Sequence, residues 1–334
     1  MVDTNKIKAV VLFSGGLDSI LASQLMLEQG IDLKGVYFKS VFLARDEASP
    51  AADKLKLKLK VFDISSQHIR ISRFPEYGHG KNMNPCLDCR IVMLKKAAEY
   101  MKEIGASFLV TGEVLGERPM SQRKAAFNLI EKAAGLKGWI LRPLSAKLLE
   151  PTIPEMEGLV KREELLDLQG RSRSRQIKLA EQKDVDYYPS PAGGCLLTDP
   201  GFSNRLKELF KHLSRPSVND IRLLKYGRHF RMINGIKIVI ARYDKEVDCL
   251  FKLVKQGDVV FELADQPGPI TVVRTKGRDV HLDCVKDIAA LTARYSKLRD
   301  NKKVRVKYYK LSQEKEEFIS INPQQAEKTE VTRI

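Results

Sequence analysis

The chain has 334 residues and no run of about 18 apolar residues, so no segment reads as a membrane-spanning helix. Met1 to Lys8 holds no apolar core of the signal-peptide kind. Cysteine is scarce: there are five, an odd number. Without a secretion signal, that argues for a reducing, cytoplasmic setting, with thiols acting as ligands or nucleophiles and not as staples. Acidic charge is short too, with 42 Asp and Glu against 58 Lys and Arg, a formal net charge of +16. Such an excess favours a polyanionic partner, because each cation set against a phosphate releases condensed counterions. No internal repeat is apparent. What is present is ample apolar material, 43% of the residues, enough for a sizeable core and two or three domains.

Ile7 to Phe13 is a continuous apolar run broken by one Lys, which reads as a buried parallel strand. A Gly-rich turn follows, then Ile20, Leu21, Leu25 and Met26 at helical spacing, Gly30 at the cap position, and a strand over Leu33 to Phe38. This is a βαβ unit, and such units imply a parallel sheet with helices on its faces. Further strands are expected at Leu59–Ile64, Phe108–Thr111 and Trp139–Leu144, with a helix starting just after Cys89 and another over Ala125–Ala134. Leu55 to Leu59 alternates like a strand but follows a helical stretch, so its state stays open. From Glu150 the chain breaks into short pieces around one expected helix near Lys161–Leu168. A second unit begins near Val218. It has an expected two-residue hairpin turn at Asn234-Gly235, two helices, and a last strand over Val304–Tyr309. The expected division is residues 1–150 for an α/β domain and 151–215 for an extension carrying Cys195. Residues 216–312 form a smaller α+β domain, and 313–334 a loose, flexible tail.

Between the first strand and helix lies Phe13-Ser14-Gly15-Gly16-Leu17-Asp18-Ser19. Gly15 and Gly16 let the backbone turn its N–H groups onto an anion, Ser14 and Ser19 add hydroxyl donors, and the helix points its positive end at the same place. No Gly-Lys-[Ser/Thr] follows, so this is not a Walker loop. The stretch resembles the Ser-Gly-Gly-x-Asp-Ser signature of the PP-loop ATP pyrophosphatases, with their adenine nucleotide alpha hydrolase-like fold. The resemblance implies cleavage of ATP between its α and β phosphates, with Asp18 placing Mg²⁺ and pyrophosphate, and Thr111 and Gly112 completing the nucleotide site.

Asn84-Pro85-Cys86-Leu87-Asp88-Cys89 precedes a helix, where a thiol has a lowered pKa. A lone Cys-x-x-Cys is open to three readings: a redox pair, half a zinc site, or part of an iron–sulfur site. Small residues, Pro191 to Gly194, lead into Cys195 and leave it accessible, so Cys86, Cys89 and Cys195 are taken as one constellation. Cys249 and Cys284 read as core thiols. The order of Ser14–Ser19, Asn84–Cys86, Gly105–Gly112 and Gly194-Cys195 resembles the tRNA 2-thiouridylases and the tRNA 4-thiouridine synthetases. That resemblance implies adenylation of a uracil carbonyl, then displacement of AMP by sulfur, with Cys86 and Cys195 as the sulfur-handling pair. A cysteine desulfurase or sulfide would act as donor. With Cys89 the trio also resembles the cluster-dependent thiolases, in which three thiolates hold a [4Fe–4S] cluster. Persulfide, cluster and zinc remain alternatives.

Arg118 and Gln122, after the Thr111-Gly112 strand end, are candidates for contact with ATP or RNA. Arg171, Arg173 and Arg175 form a dense basic run suited to phosphate. Leu223 to Tyr309 resembles the RNA-binding domain of the NFACT proteins through Gly227-Arg228-His229-Phe230-Arg231, the Asn-Gly hairpin, Asp258, Pro267-Gly268 and Ala293–Ser296. Glu262 stands where a His is expected. Arg228 and Arg231 are the RNA-facing candidates there. The reading is ATP-dependent tRNA uridine thiolation. The alternatives are a PP-loop ligase or sulfurtransferase acting on a small molecule, or a non-catalytic ATP-binding RNA or ribosome factor. No residue pattern speaks to the oligomeric state.

Overall fold

Val10 and Val11 have no polar side to offer water, so a strand containing them must be covered on both faces. The computed structural model, which describes residues 7–43, 48–188, 194–275, 280–311 and 315–334, covers them in this way. The chain divides into two units, Met1–Asp199 and Pro200–Ile334. The first runs β1 (Lys8–Leu12), α1 (Leu17–Glu28), β2 (Asp32–Lys39), α2 (Ala48–Lys54), β3 (Leu59–Asp63), α3 (Ser65–Arg73), α4 (Cys86–Glu103) and β4 (Phe108–Thr111). It continues with α5 (Lys124–Ala134), β5 (Ile140–Leu141), α6 (Ile153–Met156) and α7 (Ser174–Gln182).

Its five strands are parallel, in the order β3-β2-β1-β4-β5. The chain leaves β1 toward β2 and β3, then returns to β1's other side for β4 and β5. The loop after β1 therefore sits at the point where strand order reverses, the usual place for a ligand crevice in such sheets. Alternation sorts β1 between two cores. Ala9, Val11 and Phe13 pack with Leu17, Ile20 and Leu21 of α1 and with Ala180 of α7. Val10 and Leu12 pack with Ile91 and Leu94 of α4 and with Ile130 of α5.

The second unit holds α8 (Pro200–His212), α9 (Val218–Leu223), β6 (Arg228–Met232), β7 (Lys237–Ile240), α10 (Asp244–Phe251), β8 (Val259–Leu263) and β9 (Thr271–Arg274). After these come α11 (Leu282–Arg294), β10 (Val304–Lys310), β11 (Glu317–Ile321) and β12 (Val331–Arg333). They make an antiparallel sheet ordered β11-β10-β8-β9-β7-β6-β12. Ile288 and Leu291 of α11 pack on one face, against Phe261, Val273 and Val306. Leu223 of α9 and Leu250 of α10 pack on the other, against Val239, Val260 and Val272.

Several expectations are corrected. The tail is not loose: Ile321 and Ala326 are buried, β11 pairs with β10, and β12 pairs with β6, so β10 is not the last strand. The polar average of the segment hid alternation on two edge strands, whose outward side chains are hydrophilic. The units divide before α8 and not after it. Glu208 on α8 binds Arg231 at 2.6 Å and Lys237 at 2.9 Å, and Arg205 Nε donates to Leu224 O at 2.9 Å. The expected helix at Lys161–Leu168 is a single 3-10 turn, Arg162–Glu164. Its neighbours are drawn out because Leu166 N and Leu168 N donate to Pro143 O and Leu144 O. Asn234-Gly235 closes a three-residue loop. Gly235 is left-handed but Asn234 is not, whereas a two-residue turn of type I′ needs both. Of the open stretch Leu55–Leu59, residues 55–58 connect α2 to β3 and Leu59 begins β3.

A chain ending after Leu311 is expected to melt roughly 10 °C lower in its second unit. Losing the burial of Ile321 alone removes about 2 kcal/mol. Calorimetry on the truncated chain checks this, and an unchanged transition would restore the tail reading.

Candidate active site

The loop after β1 is shaped by its own hydroxyls. Ser14 Oγ donates to Ser19 Oγ at 3.2 Å, Ser19 Oγ donates to Gly16 O at 2.8 Å, and Gly15 takes a left-handed φ of 76°. Gly16 caps α1 without a side-chain hydrogen bond, so the first-turn N–H groups stay available to a ligand. Asp18 sits in that first turn. Its Oδ1 is buried without a hydrogen-bond partner among the described residues. Burial pushes its carboxyl above the usual range, while the Arg173 and Arg118 charges pull the other way without cancelling the rise. Gly112 serves the loop from behind. A Cβ there would stand 2.6 Å from the Asp18 carbonyl, so β4 can approach α1 this closely only through glycine.

One cavity of about 450 Å³ joins this loop to the thiols; Ser14, Gly16, Asp18, Ser19, Thr111 and Gly112 line it together with Cys86, Cys89 and Cys195. Cys86 is the first residue of α4, not a residue before it. Pro85 caps the helix, and Cys89 N makes an early helical bond to Pro85 O at 2.9 Å. Cys195 is held by a bridge to Leu43 and by Leu196 N donating to Phe42 O at 2.9 Å. Pro191, Ala192 and Gly193, expected to open access to Cys195, lie outside the described residues.

The expected lowering of thiol pKa at the helix start is overturned. Burial raises Cys86, takes Cys89 to about 12 and Cys195 to about 11, against the opposing pull of Arg118 and Arg90 on Cys86, of Arg90 on Cys89 and of Arg118 on Cys195. Desolvation outweighs a partial helix charge. The donor set is right for a thiophilic metal or cluster. Among the described residues, however, no three His, Cys, Asp or Glu side chains are close enough to hold one. As placed, the trio does not fit a metal.

A charged floor that the sequence did not reveal lies beneath the thiols. Buried Glu113 meets Arg90 Nε and Arg142 Nε, each at 3.2 Å, and accepts from Thr111 Oγ1 at 3.1 Å. Arg142 also binds Glu131 at 2.5 Å and stacks 3.8 Å over the Phe127 ring. Burial pushes the Glu113 carboxyl up, but the two guanidiniums and Thr111 more than offset this, so it stays ionised below the usual range. His68, also unanticipated, lines the cavity with Nδ1 2.8 Å from Ser40 Oγ; burial lowers its pKa to about 4, so it is neutral. Only the adjacency of Glu113 to Thr111-Gly112 and of Arg90 to Cys89 hinted at this floor.

The RNA candidates separate. Arg118 lines the cavity with exposed atoms, on a loop that Gln122 braces: the buried Gln122 takes Arg118 N on its Oε1 at 2.9 Å. Gln122 braces this loop and also lines the cavity. Arg173 turns into the cavity. Arg171 and Arg175 stay exposed, with Arg175 bound to Asp167 at 2.5 Å. In the second unit Arg231 is buried against Glu208 and is corrected to an internal ion pair. Arg228 is half-buried, 4.8 Å over the Tyr295 ring, and donates to Ala241 O. Cys249 and Cys284 are half-buried, not fully in the core.

Two outcomes are expected. Gly112→Ala should destabilise the first unit by about 1–3 kcal/mol, because backbone must move to admit the methyl group; thermal unfolding measures it. In the free protein Cys195 should react with iodoacetamide at pH 7.5 roughly 100-fold more slowly than an ordinary cysteine, and accelerate as pH rises toward its pKa. Site-resolved mass spectrometry over pH 7–10 checks this, and fast labelling at pH 7.5 would contradict the burial argument.

Comparison with known proteins adds the following. Residues 4–148 match the family described as thiamine biosynthesis protein (ThiI), and residues 227–332 match the NFACT protein RNA binding domain. A probable tRNA sulfurtransferase of Methanosarcina acetivorans is 35% identical over 118 residues, covering 32% of this chain and 28% of the relative. The tRNA-specific 2-thiouridylase MnmA of Pseudomonas fluorescens is 24% identical, over 62% of this chain and 56% of the relative. The chain thus spans less than two thirds of these relatives' length. A 4-thiouridine synthetase solved in complex with RNA and bound ATP is 21% identical, with a TM-score of 0.38, over 65% of this chain and 52% of that one. Among the described residues no helix is long and apolar enough to cross a membrane. The chain carries a ThiI-type PP-loop domain in its first unit and an NFACT-type RNA-binding domain in its second.

Proposed function

We propose that the chain is an ATP-using tRNA thiolation enzyme that adenylates a uracil carbonyl and replaces its oxygen with sulfur. The observation that carries the reading is the shared cavity, in which a phosphate-shaped loop and three thiols face one space. In the first step a uracil oxygen attacks the α-phosphorus of ATP, the bond to the β-phosphate breaks, and pyrophosphate leaves. The N–H groups of α1 and the Ser14 and Ser19 hydroxyls bind the phosphates. Asp18, with its unpartnered oxygen, would hold Mg²⁺, which supplies charge neutralisation for the departing pyrophosphate. In the second step sulfur attacks the activated carbon and the bond to AMP breaks. If the sulfur is the outer atom of a persulfide on Cys86 or Cys195, the other thiol attacks the S–S bond. A disulfide then forms, and an external reductant must reset it. A cysteine desulfurase, which delivers sulfur already at the persulfide level, would load the persulfide-bearing thiol; sulfide would instead attack the activated carbon directly, displacing AMP with no disulfide formed. Five free thiols suit a reducing, cytoplasmic setting. Arg171, Arg175 and the second unit supply the contacts to RNA. A [4Fe–4S] cluster on Cys86, Cys89 and Cys195 would require the three thiols to draw together.

Transfer RNA from cells lacking the protein should lose one thionucleoside. Unchanged 2-thiouridine, 4-thiouridine and 2-thiocytidine would sink the proposal. In vitro, Cys86→Ser and Cys195→Ser should lower thiolation at least 100-fold while RNA-stimulated pyrophosphate release persists. Stimulation by a small molecule in place of RNA would point to the ligase alternative. Anaerobically purified protein decides the sulfur route, since a broad absorption near ~400 nm marks a cluster.

A further inference from the structure

The loop Ser14–Ser19 carries no basic side chain. A Walker loop meets phosphate with its own lysine; here the cation must come from elsewhere in the fold. Three guanidiniums line the cavity, those of Arg90, Arg118 and Arg173. Arg90 is engaged by Glu113. Arg118 leans toward the thiol side, its Nη1 3.9 Å from where a Cβ on Gly194 would stand. Arg173 differs from both. It caps α7, which packs on α1, the helix that carries Asp18. Among the described residues its Nε is buried without a hydrogen-bond partner. One turn along, Gln176 is 1% exposed and its Nε2 also lacks a partner among them. Asp18 Oδ1 is the third such atom; its carboxyl feels the charge of Arg173 most, then that of Arg118, and the Gln176 amide is turned toward it. A buried polar atom left unpaired has lost its water without a replacement, which destabilises the site as it stands. Two stranded donors and one stranded acceptor on facing helices are what a site shows when its ligand brings acceptor oxygens together with a cation.

We propose that Arg173 is a phosphate-binding residue that supplies the charge the loop lacks, gripping the β,γ end of ATP beside Asp18, with Gln176 as the positioning residue that holds the two in register. The inference rests on the reading of the cavity as an ATP site. It divides the basic run that the sequence assigned wholly to RNA: Arg171 and Arg175 face out, and Arg173 faces the nucleotide.

Calorimetric titration of the full chain with ATP, pyrophosphate and AMP, each with Mg²⁺, tests it. Arg173→Gln should weaken ATP and pyrophosphate at least about tenfold and leave AMP within twofold, since AMP has no β,γ end. Arg173→Lys, which keeps the charge, should recover part of the loss and shows that the site still folds. Equal losses for ATP and AMP would mean a general structural role and overturn the inference. So would unchanged ATP affinity with weakened RNA binding, which returns Arg173 to the RNA surface. If the unmodified chain binds neither ATP nor pyrophosphate, the nucleotide reading itself fails and this one with it.

Discussion

Everything in the first unit depends on β1 being paired on both sides. With β2 on one flank and β4 on the other, the loop after β1 has nowhere to go but the crevice between diverging connections. The same pairing brings the end of β4 under the loop, where Gly112 leaves room for backbone on backbone. It also sets the start of α4, with Cys86, across the opening from Asp18. The site is a product of strand order first and of side chains second.

The chemistry of the cavity is governed by a contest between desolvation and guanidinium charge. Where two arginines press on one carboxylate, as at Glu113, charge wins and the acid stays ionised. Where the cations are fewer or farther, as at Asp18 and the three thiols, burial wins and the neutral form is favoured. The resting site therefore waits for positive charge. A cation arriving beside Asp18 would invert the balance there, because a bound ion is the largest local charge in such a site.

The architecture was largely legible because its signals are local. The apolar run before Ser14, the glycines of the loop and the Asn-Gly hairpin each constrain the backbone where they stand. The thiol trio was legible as a group, since all three line one cavity, but not for its electrostatics, since helix position predicts a low pKa and burial decides the outcome. Arg231 misled because a charged side chain in a strand reads as surface. Its partner, Glu208, is identified only in three dimensions. Spacing along a basic run likewise does not say which member turns inward, and of Arg171, Arg173 and Arg175 it is Arg173 that lines the cavity. Glu113, Arg142 and Glu131 come from separate elements, and no motif joins them.

The closing strand of the second unit has a kinetic meaning. β12 pairs with β6, about 100 residues earlier in the chain, and Ile334 N donates to His229 O at 3.0 Å. Loop-closure entropy must be met before such a distant pairing contributes anything, so this sheet belongs to the slow-folding, high-contact-order class. During synthesis the first unit has all its described strands out before Asp199 appears, whereas the other sheet waits for the three-residue β12. Until then β6 presents an unpaired edge. The nascent protein therefore passes through a period in which its first half is complete and its second is open to pairing with other chains.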